Sequence, residues 1–378
     1  RSERALLLAA AVAYVPLAFL GYGADVDAYA VLEAADRIGE GEPYAPSRPP
    51  GFPVHELAVV LLGGLGGSVL SNLGTAAMVL VALGSFLALG RRFDVPHRLL
   101  LGAVFAFHPF VWANAAATID YFWALGFALA GAVLLLDRRW AAAGLLFGLA
   151  IGARATSLLL VACLLGFVVW RGRAAWRGPA VAAALAVGLG ALCYVPTLVA
   201  FDFTLGFLTP VGAEEQAAWS WAERLGRFGY KNVYLWGLPA ALALVALLAN
   251  AAASGLPGRR VHRALLGLCG AVVVLYEALY LRYPLEQEYL IPTIPFVLLA
   301  LGVLASRRGL VGLGVLVLAY NAVSLNVARP DRPLHATGAE VGLWVEPGYL
   351  VADVRERLRV RDCRTIACWT ERWEAARD

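Results

Sequence analysis

Asp25 and Asp27 stand one residue apart in GADVDAYA, directly after the first long apolar run of a strongly apolar chain. A third carboxylate, Asp120, interrupts apolar sequence in TIDYFWALGF, and Arg154 does so in GLAIGARATSLLLV. The stretch LRYPLEQEYLIP carries Arg282, Tyr283, Glu286 and Glu288. Ionisable groups at bilayer depth cost about 2.5–3.5 kcal/mol each on insertion scales unless paired or wet, so their presence asks for a use. Carboxylates take up or relay protons and guanidinium groups hold anions; together they equip a site for acid–base chemistry on a charged substrate. Plainer roles compete. Asp25 or Asp27 also suits the cap of an amphipathic helix on the membrane surface, with Val31, Ala35 and Ile38 on one face opposite Glu33 and Arg37, and Gly39 at its end. Arg154 also suits a helix-end arginine snorkelling to headgroups.

The elements that must position these groups are membrane helices. The chain has 378 residues, 61% hydrophobic and only 15% charged, with a mean hydropathy of +0.71, outside the usual composition of a soluble domain. Apolar stretches near the roughly 20 residues needed to cross a bilayer recur up to Asn326, which predicts one polytopic domain over residues 1–326. The net charge of +4 is nearly all arginine, Lys231 being the only lysine, and implies no nucleic-acid partner. The first apolar run, residues 5–22, follows Arg1 and Arg4 as a signal sequence would. No small-residue cleavage site follows it, so it reads as a retained helix.

Basic clusters mark the cytoplasmic segments: Arg1/Arg4, Arg91/Arg92/Arg98, Arg138/Arg139, Arg171/Arg173/Arg177, Arg259/Arg260/Arg263 and Arg307/Arg308. Segments rich in Asp, Glu, Trp and Tyr lie between them and face outward: residues 23–56, the turn at Asp120, residues 201–231, residues 280–289, and everything after Asn326. Parity then requires one crossing over residues 53–90, with an interfacial helix at 55–65, a break at GGLGGS and a span at 70–90. Residues 140–170 must form a hairpin reversing near Arg154. Further helices are expected over 99–118, 121–136, 179–200, 233–250, 264–279, 290–305 and 309–325. The total is about eleven spans, with the N-terminus inside and the C-terminus outside. The expected fold class is an all-α polytopic membrane protein with an outer-face juxtamembrane helix in the 23–56 loop and a small extracytoplasmic tail over 327–378.

Cys363 and Cys368 in that tail are close enough to pair on the oxidising side, whereas Cys163, Cys193 and Cys269 sit in apolar helices as core filler. The prolines of SRPPGFP stiffen the chain and hold Arg48 at a set distance from the preceding helix, either as the wall of a cavity or as a rigid connector. GGLGGS lacks the Lys-Ser/Thr of a phosphate loop and serves helix packing or a helix break. HEL at His55 lacks a second histidine one turn on, and no Cys/His cluster has zinc spacing, so no metal site is expected. Trp219, Trp221, Tyr230 and Tyr234 around Lys231 suit an aromatic belt, or a platform for stacking a sugar.

GADVDAYA with an aspartate four residues before a tyrosine, GEPYAPSRPPGFP, TIDYFW, GLAIGARATSLLLV and RYPLEQEYLIPTIPF, in this order, resemble the GT-C glycosyltransferases of the protein-mannosyltransferase and lipid A aminoarabinose-transferase type. The resemblance covers residues 5–326. It implies a GT-C-like bundle and inverting transfer of a sugar from a polyprenyl-phosphate carrier to a lipid, glycan or protein acceptor on the non-cytoplasmic face of the plasma membrane. Carried over, Asp25 matches the catalytic aspartate of the first outer loop, with Asp27 at a second acidic position and Asp120 at the acidic position of the next outer turn. Arg282 is the cation of the matching late segment. Arg48, Arg154, Lys231 and Arg282 are the candidate ligands of the donor phosphate. Tyr29, Tyr44, Tyr283, Glu286 and Glu288, within the matching stretches, are candidate substrate contacts. No cofactor is expected, although a divalent cation shared by Asp25 and Asp120, as in some GT-C oligosaccharyltransferases, is an alternative. The chemistry suits these residue types, since a hydroxyl acceptor needs a base and a leaving phosphate needs fixed cations. The rival class is a transporter or flippase for a lipid-linked or amphiphilic solute, and a third reading is a polysaccharide ligase or polymerase. Ionisable residues clustered at one interface, without an internal repeat, favour the transferase.

Overall fold

The computed structural model describes residues 1–172, 176–204, 206, 219–254, 260–327 and 342–375. Arg173 and Arg259 of the basic clusters lie outside the described residues. The structure is 78% helical, with one two-stranded antiparallel ribbon pairing Val323–Asn326 with Trp344–Pro347. Among the described residues, five helical stretches are long and apolar enough to cross a membrane: Ser2–Phe19, Pro53–Arg92, Arg177–Ala200, Val261–Arg282 and Gln287–Leu304. Trp221–Trp236 and Leu238–Ser254, bent by 96° at their junction, make a sixth if taken as one broken span. Tyr121–Leu136, Trp140–Ala153 and Ser157–Arg171 are apolar but shorter. At 1.5 Å per residue they reach roughly 21–24 Å, short of the ~30 Å hydrocarbon core.

Several boundaries follow local chemistry. The Pro53–Arg92 helix carries non-helical dihedrals at Gly66 and Gly67, where φ at Gly67 is +58°, so the glycine-rich stretch does break the helix. Trp140–Ala153 and Ser157–Arg171 are separate helices joined through Arg154. The helix expected over 99–118 is instead two, Arg98–Ala106 and Pro109–Asn114, because Pro109 has no N–H to continue the first. The helix expected over 233–250 is instead divided at Gly237: Leu238–Ser254 follows a separate helix, Trp221–Trp236, whose start Ser220 and Glu223 cap in a reciprocal capping box. The helix expected to reach 325 stops at Tyr320, and Val323 onward joins the ribbon.

The chain divides into two compact units. One comprises Arg1–Leu6, Phe86–Trp112 and Glu214–Ala352. Its core includes a stacked pair, Phe86 and Phe105, 5.4 Å apart, and Glu3 links Arg91 and Arg98. The other comprises Leu7–Ser85, Ala113–Ala213 and Asp353–Asp378. Within it, Gly144, Gly148 and Gly152 recur every fourth residue. A Cβ at Gly144 would sit 2.6 Å from the Ala182 carbonyl oxygen, and one at Gly148 would sit 2.6 Å from the Leu189 side chain. Small residues at this spacing let the Trp140–Ala153 and Arg177–Cys193 helices approach backbone to backbone, the membrane-helix solution where lipid offers no hydrophobic drive.

The same unit holds the helix Val26–Gly39. The single apolar face expected of a helix lying on a membrane is too little: Val31 and Ala35 pack on Val59, while Ala28, Tyr29 and Leu32 pack on Val360 and Cys363 near the C-terminus. The helix is therefore covered on two sides. Ile366–Glu374 packs along it, with the backbone N–H of Ile366 donating to Glu33 and Arg364 pairing with Asp36. Cys363 and Cys368 are joined in a disulfide.

Candidate functional site

Asp25 is the N-cap of the Val26–Gly39 helix: its backbone is extended, and its Oδ1 accepts the backbone N–H of Asp27 at 2.9 Å. An aspartate here satisfies one of the free N–H groups of the first turn, so the capping role holds. Capping does not exhaust the side chain, because Arg48 and Asp120 both act on its charge. Burial pushes the Asp25 carboxyl above the ordinary carboxylate value; the Arg48 guanidinium opposes that and Asp120 adds to it.

Asp27 forms an ion pair with Arg48. Arg48 reaches Oδ1 of Asp120 at 3.5 Å, and Nη1 of Arg154 donates to Oδ2 of the same carboxylate. Asp27, Arg48, Asp120 and Arg154 thus form a row of alternating charge drawn from four separated places in the sequence. Asp120 has no exposed surface at all, Arg154 has 11% of its side chain exposed and Arg48 18%. A fully buried carboxylate survives only if its desolvation is offset, and two guanidinium groups, one on each oxygen, supply that offset.

Local structure explains how each is held. Asp120 occupies the N-cap position of Tyr121–Leu136 yet caps no backbone N–H, so its carboxylate is left to the arginines. Arg154 ends the Trp140–Ala153 helix, its own N–H returning to the Ala150 carbonyl. Its guanidinium lies 4.3 Å from the Tyr121 ring centroid and 5.6 Å from that of Phe52, and Arg48 lies 4.7 Å from Phe52. Phe52 therefore stands beside both cations, a cation–π arrangement that also fills the space around them.

The loop carrying Arg48 is fastened by Glu56, a fully buried carboxylate that the sequence reading overlooked. It accepts from the Tyr44 hydroxyl, from the Ser47 N–H at 2.8 Å, from the Ser47 hydroxyl at 2.6 Å and from the Phe52 N–H at 3.3 Å. Burial, and then the Glu56 charge, raise the Tyr44 hydroxyl well above the usual phenol value. Gly51 has φ +91°, and a Cβ there would sit 3.0 Å from Pro46, Thr197 and Tyr44 alike. The loop cannot close over a larger residue.

Tyr29, a candidate substrate contact, lies in the core: its ring is fully buried and its hydroxyl proton is shared between the carbonyls of Gly23 and Val360, each at 3.1 Å. Behind it, fully buried Arg357 donates to the carbonyls of Ala116 and Ala113 and to Asp353, and Trp369 donates to the carbonyl of Ala24 at 2.9 Å. The C-terminal residues thereby hold the backbone that leads into Asp25 and the backbone that precedes Asp120. No sequence motif signalled that, because buried arginines bonded to carbonyls have no recognisable spacing.

Lys231, Arg282, Tyr283, Glu286 and Glu288 lie in the other compact unit. There the Lys231 ammonium donates to Gln287 at 3.0 Å and pairs with Glu286 at 3.6 Å. Gln287 and the Tyr349 hydroxyl both donate to Oε1 of Glu288 at 2.9 Å. Arg282 is exposed and lies over Tyr283, 4.9 Å from the ring centroid. Among the described residues, no three His, Cys, Asp or Glu side chains form a group able to hold a metal ion. Comparison with protein-family models, with curated proteins and with solved structures yields no match.

Proposed function

We propose that this chain is an inverting glycosyltransferase of the GT-C type, taking a sugar from a polyprenyl-phosphate carrier to a lipid, glycan or protein acceptor on the outer side of the plasma membrane. In this reading the membrane domain is a bundle of about eleven crossings, the shorter apolar helices included, with the N-terminus inside and the C-terminal tail outside. The observation that carries the reading is the charge row Asp27, Arg48, Asp120 and Arg154 with Asp25 beside it.

Asp25 is the general base. The acceptor hydroxyl attacks the anomeric carbon, the bond from that carbon to the phosphate oxygen breaks, the hydroxyl proton passes to Asp25, and polyprenyl phosphate leaves. A carboxylate raised by burial is a stronger base than one in water, which suits this step. Arg48 and Arg154 face the charge that develops on the leaving phosphate, and Asp27 and Asp120 hold them in position beforehand, so that little reorganisation is needed at the moment of reaction. The assignment uses one compact unit alone; Lys231, Arg282, Tyr283, Glu286 and Glu288 take no part in it.

The test is to incubate purified protein with radiolabelled polyprenyl-phosphate sugars and a membrane extract. Label transferred to an acceptor supports the reading. Movement of a lipid-linked solute across sealed vesicles without any glycosylated product contradicts it and favours a transporter.

A further inference from the structure

Trp221–Trp236 and Leu238–Ser254 meet at 96°, and the corner between them is built to hold that angle. Gly237 has φ +76°, and a Cβ there would sit 2.8 Å from the Tyr320 ring. The Tyr320 hydroxyl donates to the Tyr234 carbonyl at 2.8 Å, just before the bend. Leu238–Ser254 carries no charged residue, and at 1.5 Å per residue it reaches roughly 25 Å, close to the depth of the hydrocarbon core. A helix at right angles to one that crosses a bilayer lies along the bilayer surface.

Trp221–Trp236 carries a surface fit for that place. Trp221 and Leu225, one turn apart on the same face, are 67% and 56% exposed. The guanidinium of partly exposed Arg227 lies 3.8 Å from the Trp219 ring centroid, and exposed Arg282 lies over Tyr283. Arg224 joins the two segments by donating to the Arg282 carbonyl at 2.8 Å. The carboxylates of these segments are engaged: Glu223 accepts from the Ser220 N–H and hydroxyl, Glu286 pairs with Lys231, and Glu288 accepts from Gln287 and Tyr349. Arg227 and Arg282 are thus the cations turned toward the surface.

We infer that Trp221–Trp236 lies along one face of the bilayer and docks its Trp221–Leu225 side on anionic phospholipids, with Arg227 and Arg282 at their phosphates. An exposed tryptophan and leucine gain by entering the boundary between headgroups and acyl chains, and arginines beside them gain from anionic headgroups. The rings of Trp219 and Tyr283 set the guanidinium groups at the level where such aromatics collect. The two helices are then a surface helix and a short crossing, rather than one broken span. The inference needs only the membrane setting and is independent of sugar transfer.

The experiment uses the full chain in nanodiscs of phosphatidylcholine and phosphatidylglycerol, one or the other brominated near the head of its acyl chains. Bromine quenches tryptophan on contact, and the Trp221 signal is the difference between wild type and Trp221→Phe. The expected result is that brominated phosphatidylglycerol quenches Trp221 more strongly than the same fraction of brominated phosphatidylcholine. The excess corresponds to about fivefold local enrichment per arginine, falls as salt is raised, and disappears in the double variant Arg227→Gln, Arg282→Gln. The lipid and salt comparisons need no arginine variant, and thermal unfolding shows that each variant is folded. Equal quenching by the two lipids in wild type overturns the inference, as does a preference that survives either high salt or the double substitution. Quenching by aqueous acrylamide in place of lipid overturns it by placing this face in water, and quenching by none of these overturns it by placing the face under protein. Loss of the preference on adding a stoichiometric amount of polyprenyl phosphate also overturns it, since the surface then belongs to that lipid.

Discussion

Arg154 donates from Nη1 to Oδ2 of Asp120, 34 residues earlier in the chain, and this contact joins the end of one apolar helix to the start of another. Because Arg48 approaches the other oxygen of Asp120, a single buried carboxylate organises both guanidinium groups of the candidate site.

Removing that carboxylate leaves two largely buried cations without their counter-charge. Asp120→Ala is expected to destabilise the protein by about 3–5 kcal/mol, and Asp120→Asn, which keeps the volume and one acceptor, by less. Thermal unfolding in detergent measures both. An Asp120→Ala protein that unfolds with wild type would show that the charge row contributes nothing.

The raised Asp25 carboxyl makes a prediction about pH. Its native value lies above the ordinary 3.8, so between the two values the native state holds more protons than the unfolded chain, and stability falls as pH rises. The favourable contribution of the protonated group is complete below 3.8 and is lost as pH rises through the native value. Asp25→Asn cannot titrate, so its stability relative to wild type should improve across that window and then level off. Transfer activity should rise over the same window in wild type, since only the ionised carboxylate accepts a proton. A difference in stability that is flat with pH would contradict the shift.

Glu56 accepts four hydrogen bonds from residues 44–52, and its loss would strand those donors in a buried place. Glu56→Ala should cost roughly 3 kcal/mol and lower the turnover number by loosening the loop that aims Arg48. Glu56→Gln, which still accepts, should recover part of both. Turnover unchanged in Glu56→Ala would show that the loop does not position Arg48.

The disulfide between Cys363 and Cys368 closes a short loop, sequence separation 5, for which the chain-entropy relation gives about 2 kcal/mol. Replacing both cysteines by serine should release Ile366–Glu374 from Val26–Gly39 and raise hydrogen exchange around Ala24, whose carbonyl Trp369 holds. Exchange identical to wild type would show that the C-terminal residues do not support the acidic groups.

Much of the local structure was legible in the residues themselves. The capping role of Asp25 and the break in GGLGGS each follow from one residue type acting on its own backbone. Pro109, which divides the helix expected over 99–118, and the capping box at Ser220 and Glu223 were equally local signals but went unread. What could not be read was the packing: that Val26–Gly39 is covered on two sides, that Tyr29 spends its hydroxyl on the carbonyls of Gly23 and Val360, and that Glu56 rather than proline stiffness alone fastens Arg48. The contact of Tyr29 with Val360 joins residues 331 positions apart, and no periodicity within one segment encodes its partner.

The most direct measurement of the central claim is the rate of sugar transfer from a polyprenyl-phosphate donor by wild type, Asp25→Asn and Asp27→Asn, all shown to be folded. The account predicts that Asp25→Asn loses at least about a hundredfold, the lower range for removing a general base. Asp27→Asn, which only releases Arg48 from one of its two carboxylates, should lose less. An Asp25→Asn protein that transfers sugar as fast as wild type contradicts the account.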